Sequence, residues 1–266
     1  MDIPKYYDQG GNVNGLDFFQ KESAAKLLMS LLKPVMTVLE FGAGASTAFY
    51  SKLVKKWISI EGCRAWFDII KPKVPKNVEM ISVEQTHPYE YMPPKEDIVA
   101  AKLLHHFSDT EVEVSKPYQT GKVKDWPVIQ YLRFFDFVNA AKQIKEKVDV
   151  VLVDGRARVF SALAAAEVLK PGGLVVVHDW SRAEYAPLLE FFDVVQEIKP
   201  PEGDMAVLKP KAKASAKKAA PKVEKAEPKA APKAEPKAVP TPAPKPAPKA
   251  TPKAKKKSKK KDAYHI

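Results

Sequence analysis

Residues 37–47, TVLEFGAGAST, decide the fold of this chain. The apolar run that opens the stretch predicts a short buried strand, and Gly42 and Gly44 predict a tight turn into the helix that follows. Glycines at such a turn let a ligand approach the backbone closely, at the positive end of a helix. The dinucleotide fingerprint has a third glycine where this chain has Thr47, which disfavours a nicotinamide cofactor. The stretch therefore indicates a unit that binds a nucleoside, and an ordinary structural turn is the alternative.

Short apolar runs alternate with helical patterns along most of the chain. Strands and helices that alternate at this spacing predict a mostly parallel α/β sheet covered on both faces, a Rossmann-like doubly wound fold. Near the end, residues 193–198 and 205–208 flank a proline-rich turn and predict a hairpin, so the sheet should finish with an antiparallel strand. We expect helices over 17–33, 46–56, 66–71 and 160–169, and strands over 37–41, 57–61, 78–83, 148–153 and 174–177.

Two segments do not fit this alternation. The first 15 residues are polar and rich in glycine, which predicts a loose lead-in without a secretory signal. Residues 85–143 contain five prolines, and we expect two helices there, near 95–107 and 127–145. Insertions of this kind often build the pocket for the acceptor substrate, and a purely structural elaboration is the alternative.

The composition changes sharply at Lys209. The 58 residues from there to the end contain 19 Lys, 15 Ala and 11 Pro, with few apolar side chains. We therefore expect a folded domain over 1–208 and a disordered tail over 209–266 with polyproline character. The tail carries a net charge of +15 in a chain of net +12, which leaves the domain slightly acidic at −3. This excludes a basic nucleic-acid-binding fold as the source of the high isoelectric point.

The tail has two interpretations. Its block KKKSKKK, which begins at Lys255, is typical of nuclear localisation signals and of patches that bind polyanions, and a solubilising appendage is the alternative. The single cysteine, Cys63, excludes a disulfide framework and a cysteine-based zinc site, and it suits a reducing compartment. No apolar run reaches the ~20 residues that a membrane span needs. We expect a cytoplasmic location or, through the tail, a nuclear one.

Glu61 adds to the nucleoside hypothesis. It ends the next expected strand, nineteen residues after Gly42, where a carboxylate can accept hydrogen bonds from both hydroxyls of a ribose. At these positions the chain resembles the class I S-adenosylmethionine-dependent methyltransferases. Their first motif, E/D-x-G-x-G, is matched by Glu40, Gly42 and Gly44, and their second acid by Glu61. The resemblance covers about 17–208 and includes the terminal antiparallel strand.

The resemblance implies how the cofactor S-adenosylmethionine is bound. Gly42 and Gly44 would lie beneath its methionine part, and Glu61 would hold its ribose. The other cofactor-binding candidates are Glu40, Ser46 and Thr47 around the turn, Gly62 and Cys63 beside the adenine, and Glu84 and Gln85 after the third strand.

A second informative stretch runs from Asp149 to Trp180. Asp154 ends the fourth strand, and His178 and Asp179 end the fifth. Ligands of open parallel sheets sit at the carboxyl ends of strands, so these three side chains should converge on the methyl group of the cofactor. The pattern resembles sugar and small-molecule O-methyltransferases, some of which bind a divalent metal, so Asp154 and Asp179 are candidate ligands of Mg²⁺ or Mn²⁺. His178 departs from the acidic pair of that group. A structural histidine and, for Asp154, a loop cap are the alternatives.

A sugar hydroxyl is a poor nucleophile and needs a base or a metal to help remove its proton. Asp154, His178 and Asp179 are the catalytic candidates for that step. Arg156 and Arg158 either orient hydroxyls or a negative group of the acceptor, or they are surface arginines at the start of a helix.

The leading hypothesis is an S-adenosylmethionine-dependent O-methyltransferase that acts on a sugar or glycan hydroxyl. In composition alone, the tail also resembles those of proteins from large algal viruses, some of which methylate their own capsid glycans. Two other hypotheses stay open. The chain methylates nucleic acid or protein to which its tail delivers it, or it is a non-catalytic adaptor that binds polyanions.

Overall fold

The computed structural model describes residues 1–116 and 119–212, all of them within one compact unit, Met1–Ala220. The last strand ends at Pro210, two residues beyond the expected border of the domain. The expected disorder of the tail concerns residues that lie, from 213 onward, outside the described part. No helix of the described residues is long and apolar enough to cross a membrane.

Strands and helices alternate through the first half of the unit, and the helices gather in the middle. The strands are β1 (Asn12–Val13), β2 (Leu16–Asp17), β3 (Thr37–Phe41), β4 (Lys56–Glu61), β5 (Val78–Ser82), β6 (Glu111–Lys116), β7 (Gln119–Lys124), β8 (Val148–Val153), β9 (Leu169–His178), β10 (Phe192–Ile198) and β11 (Met205–Pro210). The helices are α1 (Glu22–Leu31), α2 (Ala45–Tyr50), α3 (Arg64–Ile70), α4 (Lys95–His105), α5 (Trp126–Arg133), α6 (Phe135–Asn139) and α7 (Arg158–Val168).

Seven strands form the central sheet, in the order β10-β11-β9-β8-β3-β4-β5. The five strands from β9 to β5 are parallel, and β11 pairs antiparallel with both β9 and β10. The structure thus confirms the predicted Rossmann-like doubly wound sheet with a terminal antiparallel strand. From β3 the chain continues to β4 on one side, and from β8 to β9 on the other, so the order reverses between β3 and β8. Ligands of such sheets bind outside the carboxyl ends of the strands at this switch point.

The central strands are buried on both faces, because their side chains alternate between two cores. Leu39 and Phe41 of β3 belong to one core together with Phe160 of α7. Val38 of the same strand belongs to the other, together with Leu28 of α1. This burial makes the sheet a rigid support for the loops at its carboxyl edge.

The N-terminal part differs from the expectation at two places. The helix predicted over 17–33 begins only at Glu22, because Leu16–Asp17 pairs with Asn12–Val13 in a small hairpin. Asn14 and Gly15 at its tip both have positive φ, 53° and 80°, the conformation that favours Asn-Gly in two-residue hairpins. The helix predicted over 46–56 ends at Tyr50 and continues as a 3-10 turn, Ser51–Leu53.

The segment 85–143 holds more elements than predicted. The helix near 95–107 is present as α4, but the helix expected over 127–145 is divided into α5, α6 and a 3-10 turn, Ala140–Gln143. The hairpin of β6 and β7 was not foreseen. Two further differences lie at the end of the unit: β9 begins at Leu169 instead of 174, and a 3-10 helix, Ala183–Glu190, precedes β10.

Candidate active site

The two glycines of the turn after β3 have different surroundings. Gly42 has a φ of 90°, and a Cβ on it would lie 2.5 Å from the Cα of Gly155, in the turn after β8. Gly44 is extended, and a Cβ on it would meet nothing closer than the Oγ of Ser46, at 3.7 Å. Of the two glycines predicted to underlie the cofactor, Gly44 would accommodate a Cβ at ordinary contact distance, whereas Gly42 is required by the approach of two protein backbones.

Glu40 lies buried beneath this turn and contacts protein groups. Its carboxylate accepts hydrogen bonds from Ser46 Oγ (2.7 Å), Thr47 Oγ1 (2.5 Å), Trp57 Nε1 (2.9 Å) and Ser59 Oγ (2.8 Å). Burial raises the pKa of Glu40 to about 7, although these four donors act in the opposite direction. Glu40 with Ser46 and Thr47, all predicted to bind the cofactor, therefore forms a buried network that holds the glycine turn.

Glu61, at the end of β4, joins the same turn from the other side. Its Oε2 accepts the N–H of Ala43 (2.8 Å) and its Oε1 accepts the N–H of Cys63 (2.7 Å). Burial raises the pKa of Glu61, and the backbone N–H groups offset part of that effect. A carboxylate offers about four lone-pair positions, and the N–H groups of Ala43, Cys63 and Gly62 leave about one of them for a further donor at the site.

The residues expected near the adenine follow β4 and β5. Gly62 backs onto the insertion, since a Cβ on it would lie 3.3 Å from the ring of Phe137. The Cys63 thiol is free and exposed. Glu84 is exposed and Gln85 half-buried.

The structure brings Asp154, His178 and Asp179 together. Asp154 follows β8 and donates its backbone N–H to the carbonyl of Phe41, the last residue of β3 (3.0 Å). The Nδ1 of His178 lies 2.9 Å from Oδ1 of Asp154 and 3.6 Å from Oδ1 of Asp179. The histidine thus pairs with Asp154, and the pair stands at the switch point beside the glycine turn.

Arg158 completes this cluster, although the sequence did not predict it to be a member. Its Nη2 lies 3.3 Å from Oδ1 of Asp154, and its Nη1 lies 3.1 Å from Oδ2 of Asp179. It also donates to the carbonyl groups of Gly155 (3.0 Å), Asp154 (3.2 Å) and His178. The side chain is 11% exposed. Arg158 is therefore neither a surface arginine nor free to orient an acceptor. No signal in the sequence distinguishes it from Arg156.

The electrostatics of the cluster follow from these contacts. Burial acts to raise the pKa of Asp154, but His178 and Arg158 outweigh it and hold that pKa below its ordinary value. Burial acts to lower the pKa of His178, but Asp154 and Asp179 outweigh it and raise that pKa. The proton shared by His178 and Asp154 is thus held on the imidazole.

The predicted metal ligands do not fit a divalent ion. Asp154 and Asp179 both bind Arg158, and Asp179 also pairs with Arg182, so guanidinium groups occupy the space between and beside the carboxylates. In residues 1–116 and 119–212, no group of three or more His, Cys, Asp or Glu side chains is arranged to hold a metal.

The segment after β5 forms one wall of the site. The guanidinium of Arg156 lies 5.5 Å from the ring centre of Tyr89, and Tyr89 packs edge-on against Phe134 (5.8 Å). The segment is anchored to α5, because the Nε of Arg133 donates to the carbonyl of Tyr91 (2.7 Å). Among the described residues, Arg156 forms no ion pair. Sequence reasoning singled out Arg156 but not Tyr89, whose aromatic ring was the available signal.

The N-terminal segment, expected to be a loose lead-in, also packs at this edge. Just after this segment, the hydroxyl of Tyr50 donates to Oε1 of Gln20 (2.5 Å), which ties the part of the chain that leads into α1 to α2. Burial, the neighbouring Tyr7 and Asp8, and the charge of Asp179 together raise the pKa of Tyr6. The Tyr6 phenol therefore lies within electrostatic range of the cluster.

Comparisons with known proteins return solved structures of low sequence identity and low TM-score. No protein-family model and no curated protein matches the chain. A methyltransferase-like protein from Silicibacter pomeroyi is 20% identical, with a TM-score of 0.47 over 76% of this chain and 93% of that one. A precorrin 8W decarboxylase from Methanobacterium thermoautotrophicum is 13% identical (TM-score 0.44, 78% and 98%). The N-methyltransferase NodS from Bradyrhizobium japonicum is 15% identical (TM-score 0.39, 70% and 92%).

Proposed function

We propose that this chain is an S-adenosylmethionine-dependent O-methyltransferase that acts on a hydroxyl of a sugar or glycan. The observation that carries the proposal is the Asp154–His178 pair, 2.9 Å apart, at the switch point of the sheet. It stands beside a glycine turn in which a Cβ on Gly44 would meet no atom closer than 3.7 Å. The fold alone hosts many reactions, so the assignment depends on these side chains.

The chain's own groups fit the cofactor. Gly44 lets the methionine part of the cofactor lie against the backbone, and Glu61, although it accepts three backbone N–H groups, keeps about one lone-pair position for a hydroxyl of the ribose. Gly62, Cys63, Glu84 and Gln85 lie where the adenine would follow. When bound, the cofactor supplies an activated methyl group on sulfur.

His178 is the base that we assign to the reaction. Its Nδ1–H donates to Asp154, and an imidazole that donates from Nδ1 presents Nε2 as its proton acceptor. In the described part of the chain Nε2 has no hydrogen-bond partner, and it is not among the buried polar atoms left without one. Nε2 therefore reaches accessible space and can take the proton of the acceptor hydroxyl, while Asp154 orients the ring.

Arg156 and Tyr89 form the surface that we assign to the acceptor. A guanidinium offers five N–H donors and stacks on aromatic rings, and an aromatic face covers the apolar side of a ring-shaped ligand. Such a combination suits a sugar, which carries both hydroxyls and apolar C–H faces. The donor set does not fit Mg²⁺ or Mn²⁺, so we derive no step through a metal. The basic tail remains our candidate for contact with polyanions.

The test is a methylation assay with the full chain. Methyl transfer from labelled S-adenosylmethionine is measured to free sugars, glycans, small phenols and nucleic acid. We expect labelled sugar or glycan, and a loss of turnover on the order of 10²–10⁴ in His178→Gln, with cofactor affinity unchanged. His106→Gln, which alters an exposed histidine, is the control. Label in nucleic acid alone would contradict the assigned acceptor, and failure to bind the cofactor would contradict the enzyme class.

A further inference from the structure

A single guanidinium joins the ends of β8 and β9. Arg158 reaches one carboxylate beyond each strand, Asp154 at 3.3 Å and Asp179 at 3.1 Å, and donates to backbone carbonyls at both ends. Its charge also lies 5.9 Å from the ring centre of Tyr185. These contacts use both terminal nitrogens and Nε of the side chain. A lysine could not reproduce them, because its ammonium is a single point of charge.

The backbone around Arg158 is held in uncommon conformations. Ala157, just before α7, has a φ of 47°, and Asp179, just after β9, has a φ of 56°. Residues with a Cβ rarely adopt this region, and such strain persists where the surrounding structure enforces it, often at functional sites. The two strained residues flank the contacts of Arg158.

Two carboxylates compete for the same nitrogen of His178. Nδ1 lies at hydrogen-bond distance from Asp154 but 3.6 Å from Asp179. Asp179 is held away by its own cations, since its Oδ2 binds Arg158 and Arg182. Without Arg158, the negative charges of Asp154 and Asp179 would face the imidazole with one positive charge fewer beside them.

Resting on the proposed function, we propose that Arg158 is a positioning residue for the base. Its guanidinium retains Asp179, so that Nδ1 of His178 stays paired with Asp154 and Nε2 points to the acceptor.

The charges around His178 give this role a measurable signature. The groups that face it or its partners are Asp154, Asp179, Arg158, Arg182, Glu184 and Tyr185, with Tyr50 beside Asp154 and Tyr6 beside Asp179. The acids favour the imidazolium, whereas the positive charge of Arg158 opposes it. Removal of that charge should therefore raise the pKa of His178 and leave less neutral base at pH 7.

The experiment compares Arg158→Met and Arg158→Lys with the unaltered full chain. The ring protons of His178 are followed by NMR across pH without cofactor or acceptor, and are assigned by their absence in His178→Gln. We expect the midpoint to move to higher pH in Arg158→Met and to stay near the original in Arg158→Lys. In the methylation assay, kcat/KM of Arg158→Met at pH 7 should fall about tenfold or more and partly recover at higher pH.

The second variant separates positioning from charge. Arg158→Lys keeps the positive charge but loses the planar guanidinium that contacts both carboxylates at once. Its kcat should therefore fall several-fold at every pH, while its KM for the acceptor should equal that of the unaltered chain. Lys26→Met, which removes an exposed ion pair on α1, is the control. A midpoint unchanged or lowered in Arg158→Met, or full kcat in Arg158→Lys, would overturn the inference. Because the titration needs no substrate, an upward shift in a chain that transfers no methyl group would refute the proposed function alone. If Arg158→Met does not fold, the kcat of Arg158→Lys alone tests the inference: a several-fold fall supports it, and full kcat overturns it.

Discussion

Gly42 and Gly155 are packed backbone against backbone: a Cβ on Gly42 would lie 2.5 Å from the Cα of Gly155, and a Cβ on Gly155 would lie 3.0 Å from the nitrogen of Gly42. The two turns that follow β3 and β8 are thereby fixed to each other. Asp154 immediately precedes Gly155, so this contact also sets the distance between the glycine turn and the Asp154–His178 pair. The motif glycine thus positions the proposed base as well as shaping the turn.

Gly42→Ala and Gly44→Ala should consequently fail in different ways. Alanine at 42 meets the backbone of Gly155 at a φ of 90°, and we expect a loss of stability of at least ~2 kcal/mol. Alanine at 44 adds a methyl group at ordinary contact distance from Ser46 Oγ and at an extended φ, so stability should change by less than ~1 kcal/mol while cofactor affinity falls. Chemical denaturation and calorimetry with S-adenosylmethionine measure the two effects. Equal stabilities, or full cofactor affinity in Gly44→Ala, would contradict this division.

Glu40 and Glu61 show which part of the site could be predicted from the sequence. Their spacing from the glycines located the turn, the two strands and the edge of the sheet where the site lies. It did not separate their tasks, because both are acids at strand ends. The difference is the type of donor: four side chains enclose Glu40, whereas backbone N–H groups of the turns bind Glu61, which is also buried. The different tasks of the two acids depend on contacts between elements that are distant in the sequence, which spacing alone does not reveal.

The role of Arg158 was beyond sequence reasoning for a similar reason. Arg156 and Arg158 are two residues apart and chemically identical. One lies over Tyr89 of the insertion and the other turns back to the strand ends after Ala157, whose left-handed φ no propensity would predict. The division of the expected helix over 127–145 depends likewise on packing, where Phe134 and Phe137 meet Tyr89 and Phe41.

Glu61→Gln should weaken cofactor binding without unfolding the chain. The amide keeps the shape of the side chain but replaces one acceptor oxygen by a donor, which then faces the N–H of Ala43 or of Cys63. One contact of the turn is therefore lost together with the acceptor capacity for the ribose. Hydrogen bonds to a charged group contribute ~1.5–3 kcal/mol each, which corresponds to a loss in affinity of roughly 10- to 150-fold. Calorimetry measures it, with Glu202→Gln, an exposed change in the turn between β10 and β11, as the control. An unaltered Kd in Glu61→Gln would remove Glu61 from the ribose site.

Glu40 should make the stability of the domain fall as pH rises. Its pKa is about 7 in the folded chain and near the ordinary 4.5 when unfolded. Between these values the folded state holds a proton that the unfolded state releases, so the free energy of unfolding decreases with pH across that window, by about 3 kcal/mol in total. Urea unfolding at pH 5 and pH 8 tests this. In Glu40→Gln the difference between the two pH values should shrink by that amount. An unchanged difference would show that the folded carboxyl is already ionised at pH 5.

Chelation should leave methyl transfer unchanged. Asp154 and Asp179, which the sequence predicted as metal ligands, are both bound by Arg158. A divalent ion between them would have to displace the guanidinium of Arg158. Turnover is measured after treatment with EDTA and again after addition of MgCl₂ or MnCl₂. Loss of turnover with EDTA and recovery with Mn²⁺ would mean that Arg158 leaves its place in the working enzyme.

Arg156→Met should raise KM for the acceptor by roughly 10-fold or more, the value of one or two lost charge-assisted hydrogen bonds. Its kcat should change less, because the base and its partners are other residues. The charge of Arg156 also acts on Glu61, whose pKa it helps to lower, so cofactor affinity must be measured beside acceptor KM.

Arg156→Lys separates charge from geometry: a lysine keeps the attraction to Glu61 but cannot stack its donors over Tyr89. If the acceptor binds as proposed, both variants raise its KM while the cofactor Kd stays within about threefold. A fall in cofactor affinity in Arg156→Met, restored by Arg156→Lys and with acceptor KM unaltered, would instead place Arg156 at the cofactor.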